Sequence, residues 1–96
     1  MAAVCGDSLV WKPSEKTPLT AIACIKLAAA ACRDAGVDPA IASLVIGGAE
    51  IGKLLAGDAR LPIVSATGSV AMGRQVAATV AQRLGRSILE IGRAHV

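Results

Sequence analysis

Short apolar runs alternate along this chain with longer alanine-rich stretches, and that alternation predicts strands separated by helices. Ser8 to Lys12 reads as a strand. Pro13 keeps a helix from starting at once, because the residue before a proline is pushed out of the helical region. Pro18 suits a first helical position with Thr17 as N-cap, so a helix is expected to run to about Ala35, where Gly36 supplies a stop. Its faces are almost all Ala, Ile, Leu or Cys. Only Lys26 and Arg33 mark a solvent stripe, which predicts close packing against a sheet.

Ser43 to Ile46 reads as a second strand, too apolar to alternate, as expected of a strand covered on both faces. Gly47 and Gly48 end it. Ala49 to Ala56 forms a short helix closed by Gly57, and Leu61 to Ala66 forms a third strand leading into Thr67, Gly68 and Ser69. Val70, Gly73, Ala77, Val80, Ala81 and Leu84 then fall on one face of a helix that Gly85 stops. Arg86 to Ile91 makes a fourth strand. The order β-α-β-α-β-α-β, with right-handed crossovers between parallel strands, predicts an α/β fold, a partial doubly wound parallel sheet of Rossmann-like type.

Composition narrows the function classes. The chain has 96 residues, 54% hydrophobic and 18% charged, enough for one small packed domain and not for a cofactor domain plus a catalytic domain. Its longest uncharged run, Leu61 to Gly73, falls short of the ~18 residues that a membrane span needs. No membrane partner is expected. The N-terminus lacks the pattern of a secretory signal, which predicts a cytoplasmic protein. Cys5, Cys24 and Cys32 lack the paired spacing of metal or redox motifs, so they are expected as reduced, partly buried thiols with no metal. The net charge of +3 is scattered, and Trp11 is the only aromatic residue, which argues against nucleic acid.

Ligands of such sheets bind beyond the carboxyl ends of the strands, so three segments carry the candidate chemistry. In the first, Lys12 and Glu15 follow a strand with an ammonium and a carboxylate; by spacing alone a solvated loop explains them better. In the second, Gly47, Gly48 and Gly52 make a glycine-rich turn that admits a ligand or simply starts a helix. It is not the usual G-x-G-x-x-G dinucleotide fingerprint. In the third, Thr67, Gly68 and Ser69 precede a helix whose free N–H groups and dipole favour an anion, and a plain N-cap fits equally well.

Taken together and in this order, the three segments resemble the aldehyde dehydrogenase superfamily, whose cofactor domain has Lys-x-x-Glu, then a glycine-rich turn, then Phe-Thr-Gly-Ser. The likeness runs from about Val4 to Glu90. Val-Cys-Gly-Asp at 4 to 7, Gly-Gly-Ala-Glu-Ile-Gly at 47 to 52 and Leu-Gly-Arg-Ser-Ile-Leu-Glu at 84 to 90 look like its alpha-aminoadipic semialdehyde (piperideine-6-carboxylate) dehydrogenase branch. The resemblance implies NAD as cofactor, an aldehyde substrate and a homo-oligomeric parent enzyme. It implies Lys12 and Glu15 at the adenosine ribose, Gly48 near the adenosine, and Ser69 at the pyrophosphate. Thr67 and Gly68 would lie toward the nicotinamide, and Glu90 would be the general base for the hydrolytic water. A carboxylate at Glu15 accepts from two ribose hydroxyls and repels a 2'-phosphate, so NAD is expected over NADP.

The family's catalytic Cys and oxyanion-stabilising Asn are expected outside this sequence, which makes residues 1 to 90 a part of the NAD-binding domain. A free-standing nucleotide-binding module without catalysis, or a truncated product without function, remain as alternatives. Two departures bear on the site: Ala66 stands where the family has Phe, and Val70 where it often has Thr. A third lies at the end. Residues 91 to 96 leave the family pattern, and Glu90 to Val96 back-translates as GAG ATC GGA AGA GCA CAC GTC, which looks like read-through into a sequencing-library adapter. Glu90 straddles that junction, and His95 is expected to have no catalytic part.

Overall fold

The computed structural model describes residues 2 to 92, so Arg93 to Val96, with His95 and most of the suspected tail, lie outside the described residues. Two units divide the chain, Met1–Ile51 and Gly52–Val96.

In the first unit, β1 (Leu9–Trp11) and β2 (Ala42–Leu44) pair in parallel with Leu9 opposite Ala42 and Trp11 opposite Leu44. The Val45 N–H donates to the Trp11 carbonyl at 2.9 Å and carries the ladder one step further. Helix α1 (Pro18–Asp34) makes the crossover, and Pro18 starts it as expected. Thr17 occupies the N-cap position, but its side chain makes no capping hydrogen bond. At the other end Gly36 takes φ +71°, the Val37 N–H donates to the Cys32 carbonyl at 2.8 Å, and the Gly36 N–H to the Arg33 carbonyl at 3.1 Å. That paired closure is why a glycine stands there.

The α1 stripe that turns inward is Ala21, Ile22, Ile25, Ala28, Ala29 and Cys32, at helical spacing, with Ala21 fully buried. The opposite side is wider than the expected Lys26 and Arg33: Leu19 is 79% and Leu27 73% exposed. A helix of 17 residues is about 25 Å long, and two three-residue strands shelter only one side of it. The second strand is also shorter than expected. Asp38 caps a 3-10 turn (Pro39–Ile41) by accepting from the Ala40 N–H at 2.9 Å, and β2 ends at Leu44 with all three residues half-buried rather than covered on both faces.

The second unit holds β3 (Ile63–Gly68), α3 (Val70–Gln82) and β4 (Arg86–Ile91), while α2 (Ala49–Gly57) begins in the first unit and runs into this one. β3 and β4 pair in parallel from Ile63 opposite Arg86 to Gly68 opposite Ile91, and α3 packs on both strands. Thr67 and Gly68, expected after the strand, belong to it, because Glu90 and Ile91 provide their partners. Order, α/β class and parallel pairing are those the sequence predicts; the pairing forms two two-stranded sheets, β1-β2 and β3-β4, each a βαβ unit.

The apolar face of α3 is set by its seat on these strands. Gly73 and Val80 are buried and Ala77 half-buried, as expected, but Val70 and Ala81 are exposed, and Met72, Val76 and Thr79 take the sheltered places instead. Leu84 is not on the helix at all. It adopts φ +61° and is 93% exposed, while the Gly85 N–H closes the helix end onto the Val80 carbonyl at 3.0 Å. The stop is therefore Leu84, one residue before the expected Gly85. A left-handed conformation costs a branched residue about 1–2 kcal/mol. Leu84→Gly is expected to stabilise the second unit by about 1 kcal/mol after the entropy that glycine adds to the unfolded chain. Urea unfolding followed by far-UV circular dichroism checks it; an unchanged midpoint would show that Leu84 carries no strain.

Candidate functional site

Between β1 and α1 the chain is held by Pro13, the one buried residue of this loop. Beyond it the Thr17 N–H donates to the Ser14 carbonyl at 3.1 Å and the Lys16 N–H to Ser14 Oγ at 3.2 Å, a tight turn with Glu15 at its exposed tip. Lys12, half-buried, extends its ammonium toward the Pro13 carbonyl at 3.4 Å. Among the described residues Lys12 and Glu15 form no ion pair with each other, so neither charge is used up within the loop.

The same unit brings Glu15 to Gly48. Oε2 of Glu15 lies 3.0 Å from where a Cβ on Gly48 would stand, and Gly48 directly precedes α2. Gly47 has a different constraint, since a side chain there would collide with Ile51 one turn into the helix. The first turn of α2 carries Glu50, a favourable charge for the positive end of a helix dipole.

In the second unit Thr67 sits opposite Glu90 in the β3–β4 register. Gly68 follows, with the Met72 side chain filling the space that any Cβ would need. Ser69 is the N-cap of α3: its Oγ accepts from the Met72 N–H at 3.1 Å, and its carbonyl accepts from the Gly73 N–H at 2.9 Å. The helix geometry leaves the amides of Val70 and Ala71 without an intrahelical acceptor, and the Ser69 hydroxyl keeps its proton for donation. Capping and anion binding are thus compatible at this turn.

Not every polar group bears on a site. Asp58 and Arg60 form a forked pair closing at 2.7 Å, and the hydrogen bonds from the Arg60 side chain and backbone lower the Asp58 carboxyl to about 2. Because the folded value lies below the ordinary 3.8, the stabilisation is present above that pH and is lost as pH falls through about 2. Arg60 is 88% exposed, so solvent and salt keep the effect small. Wild-type and Asp58→Asn chains should differ in urea midpoint at pH 5 and converge near pH 2; a constant difference would remove the pair from the acid response.

The sequence contained no sign of one long-range link. Nε of Arg83 donates to the Ala56 carbonyl at 2.8 Å, tying the last turn of α2 to the end of α3 across 27 residues. The three cysteines are free, with Cys5 and Cys24 exposed and only Cys32 half-buried, so the expectation of partly buried thiols holds for Cys32 alone. A helix surface is mostly turned to water when one thin sheet backs it, and Cys24 lies on that side of α1. Among the described residues no helix is long and apolar enough to cross a membrane.

Comparison with known proteins gives the family of the chain as a whole. The aldehyde dehydrogenase family model matches residues 1–95. Alpha-aminoadipic semialdehyde dehydrogenase of Bos taurus is 42% identical over 92 residues, which cover 96% of this chain and 17% of that protein. Aldehyde dehydrogenase family 7 member B4 of Arabidopsis thaliana is 44% identical over 91 residues, covering 95% of this chain and 18% of the relative. Among solved structures, a lactaldehyde dehydrogenase superposes with a TM-score of 0.78 at 39% identity, over 91% of this chain and 18% of its own. A betaine aldehyde dehydrogenase from Staphylococcus aureus in complex with NAD+ gives 0.76 at 31% identity, over 88% and 16%. The chain thus spans less than a fifth of each of these relatives. With the family model matched over nearly every residue and relatives above 40% identity, the chain belongs to the aldehyde dehydrogenase family.

Proposed function

We propose that residues 1 to 90 are part of the NAD-binding domain of an NAD-dependent aldehyde dehydrogenase. The observation that carries this reading is the exposed Glu15 carboxylate, free of any ion pair among the described residues and lying against Gly48 at the start of α2. The residues suit the cofactor. Glu15 offers a charged acceptor to the adenosine ribose hydroxyls, Lys12 an ammonium beside it, and Gly48 an open approach near the adenosine. Ser69, with the free amides of Val70 and Ala71, offers donors and a positive dipole end to the pyrophosphate. Thr67 and Gly68 serve the nicotinamide side.

When bound, NAD supplies the acceptor for the hydride that the aldehyde loses. In the parent enzyme the aldehyde becomes a carboxylate through a cysteine thioester that water hydrolyses, with Glu90 as the general base. None of Cys5, Cys24 and Cys32 is the nucleophile in this reading, so the chain alone carries no dehydrogenase activity. The 42% identical relative named for alpha-aminoadipic semialdehyde supports that substrate, and the parent is taken to be a homo-oligomer. Residues 91 to 96 are read as a non-native tail. The genomic reading frame tests that point directly, since a continuation other than Ile91 to Val96 is expected.

Trp11 is adjacent to Lys12 and is the only aromatic residue, so its fluorescence reports on this loop. Titration with NAD should give a saturable change in Trp11 emission together with amide shifts for Glu15, Gly48 and Ser69 in nitrogen-15 NMR spectra. No saturable change at millimolar NAD in a folded chain would overturn the reading.

A further inference from the structure

Glycine at position 48 has a specific consequence for the carboxylate that faces it. A Cβ there would stand 3.0 Å from Glu15 Oε2, tighter than ordinary van der Waals contact, and it would meet the far end of an exposed, flexible side chain. The contact would be relieved by the Glu15 carboxylate giving way by a few tenths of an ångström, away from the start of α2. Backbone strain is not the reason for glycine here, because Gly48 is not among the residues of positive φ. Space for the carboxylate is what the missing side chain provides.

We infer that Gly48 is a positioning residue for cofactor selectivity: its bare Cα lets the Glu15 carboxylate lie at the start of α2, where it discriminates between a ribose 2'-hydroxyl and a 2'-phosphate. This rests on the NAD-binding reading above and adds a second residue to the discrimination, one that acts through Glu15. The placement has an electrostatic reason as well. The positive end of the α2 dipole favours a carboxylate at this point, and it is the fixed carboxylate, not the dipole, that repels a 2'-phosphate brought beside it. A methyl group at residue 48 removes neither charge. It moves one of them.

The test is the ratio of NAD to NADP affinity of the full chain, read from Trp11 fluorescence, with far-UV circular dichroism to confirm folding. Wild type should prefer NAD. Gly48→Ala should narrow that preference by about twofold or more, chiefly by weakening NAD and strengthening NADP. Replacing a glycine before a helix also weakens the cap, but that loss applies to both cofactors and cancels in the ratio.

Glu15→Gln should flatten the ratio by itself, and adding Gly48→Ala to it should change the ratio no further, since no charge is left to move. Glu15→Asp gives an independent route should Gly48→Ala not fold: it keeps the charge but is too short to reach Gly48, and it too should lose most of the preference. An unchanged ratio in Gly48→Ala, or in Glu15→Asp where the former does not fold, overturns the inference and leaves the NAD reading standing. So do additive effects in the double variant. Wild type that binds neither NAD nor NADP overturns both.

Discussion

Gly73→Val is expected to destabilise the β3–α3–β4 unit by about 2–3 kcal/mol, the upper part of the range for adding methyl groups to a packed interface. Gly73 is buried on α3, and a Cβ there would lie 3.3 Å from Ile91 Cβ and 3.2 Å from Ile91 Cδ1, with Ile91 Cγ2 closer still. Ile91 cannot swing aside, because its Cβ is fixed to a strand paired with Gly68. Helix α3 would have to lift from the sheet. Valine recovers only part of the helix propensity that glycine lacks, so propensity does not offset the clash. Unfolding must be followed by circular dichroism at 222 nm, since Trp11 lies in the other unit. Ile91→Ala in the same chain should restore much of the loss. A change below about 0.5 kcal/mol for Gly73→Val, the size of a neutral surface substitution, would mean that the helix does not sit this close to β4.

Glu15→Ala is expected to weaken NAD roughly tenfold to a hundredfold, because a hydrogen bond to a charged acceptor contributes about 1.5–3 kcal/mol. Stability should not change. Glu15 is exposed and forms no ion pair among the described residues, so its removal leaves no buried group without a partner. NADP affinity should hold or rise as the negative charge disappears. Calorimetric titration of both cofactors gives the numbers, and equal NAD affinity in the two chains would remove Glu15 from the site. The two substitutions separate fold from function: one lowers the urea midpoint, the other lowers affinity in a chain of normal stability.

How much of this was legible beforehand varies by element. The start of α1 was, because Pro18 favours the first helical position on local grounds, and so was its end, because Gly36 alone can take φ +71° without strain. The end of α3 was not. Gly85 looked like the stop, yet the left-handed residue is Leu84, since the seat of Val80 in the core determines which residue reaches the helix end. The third strand was foreseen two residues too early, because whether Thr67 and Gly68 are extended depends on β4 offering Glu90 and Ile91 as partners.

The candidate site divides in the same way. The alternation of strand and helix, the residue types at positions 12, 15, 48 and 67 to 69, and their order were all readable from the chain, because local conformation and chemical identity are properties of a few consecutive residues. By spacing alone Lys12 and Glu15 read as an ordinary loop. What the tertiary structure decided is that the Glu15 carboxylate lies against Gly48, that Met72 fills the space over Gly68, and that Arg83 reaches Ala56. The first and last of these are contacts between residues far apart in sequence. They exist only once strands pair and helices pack, and no local propensity encodes them.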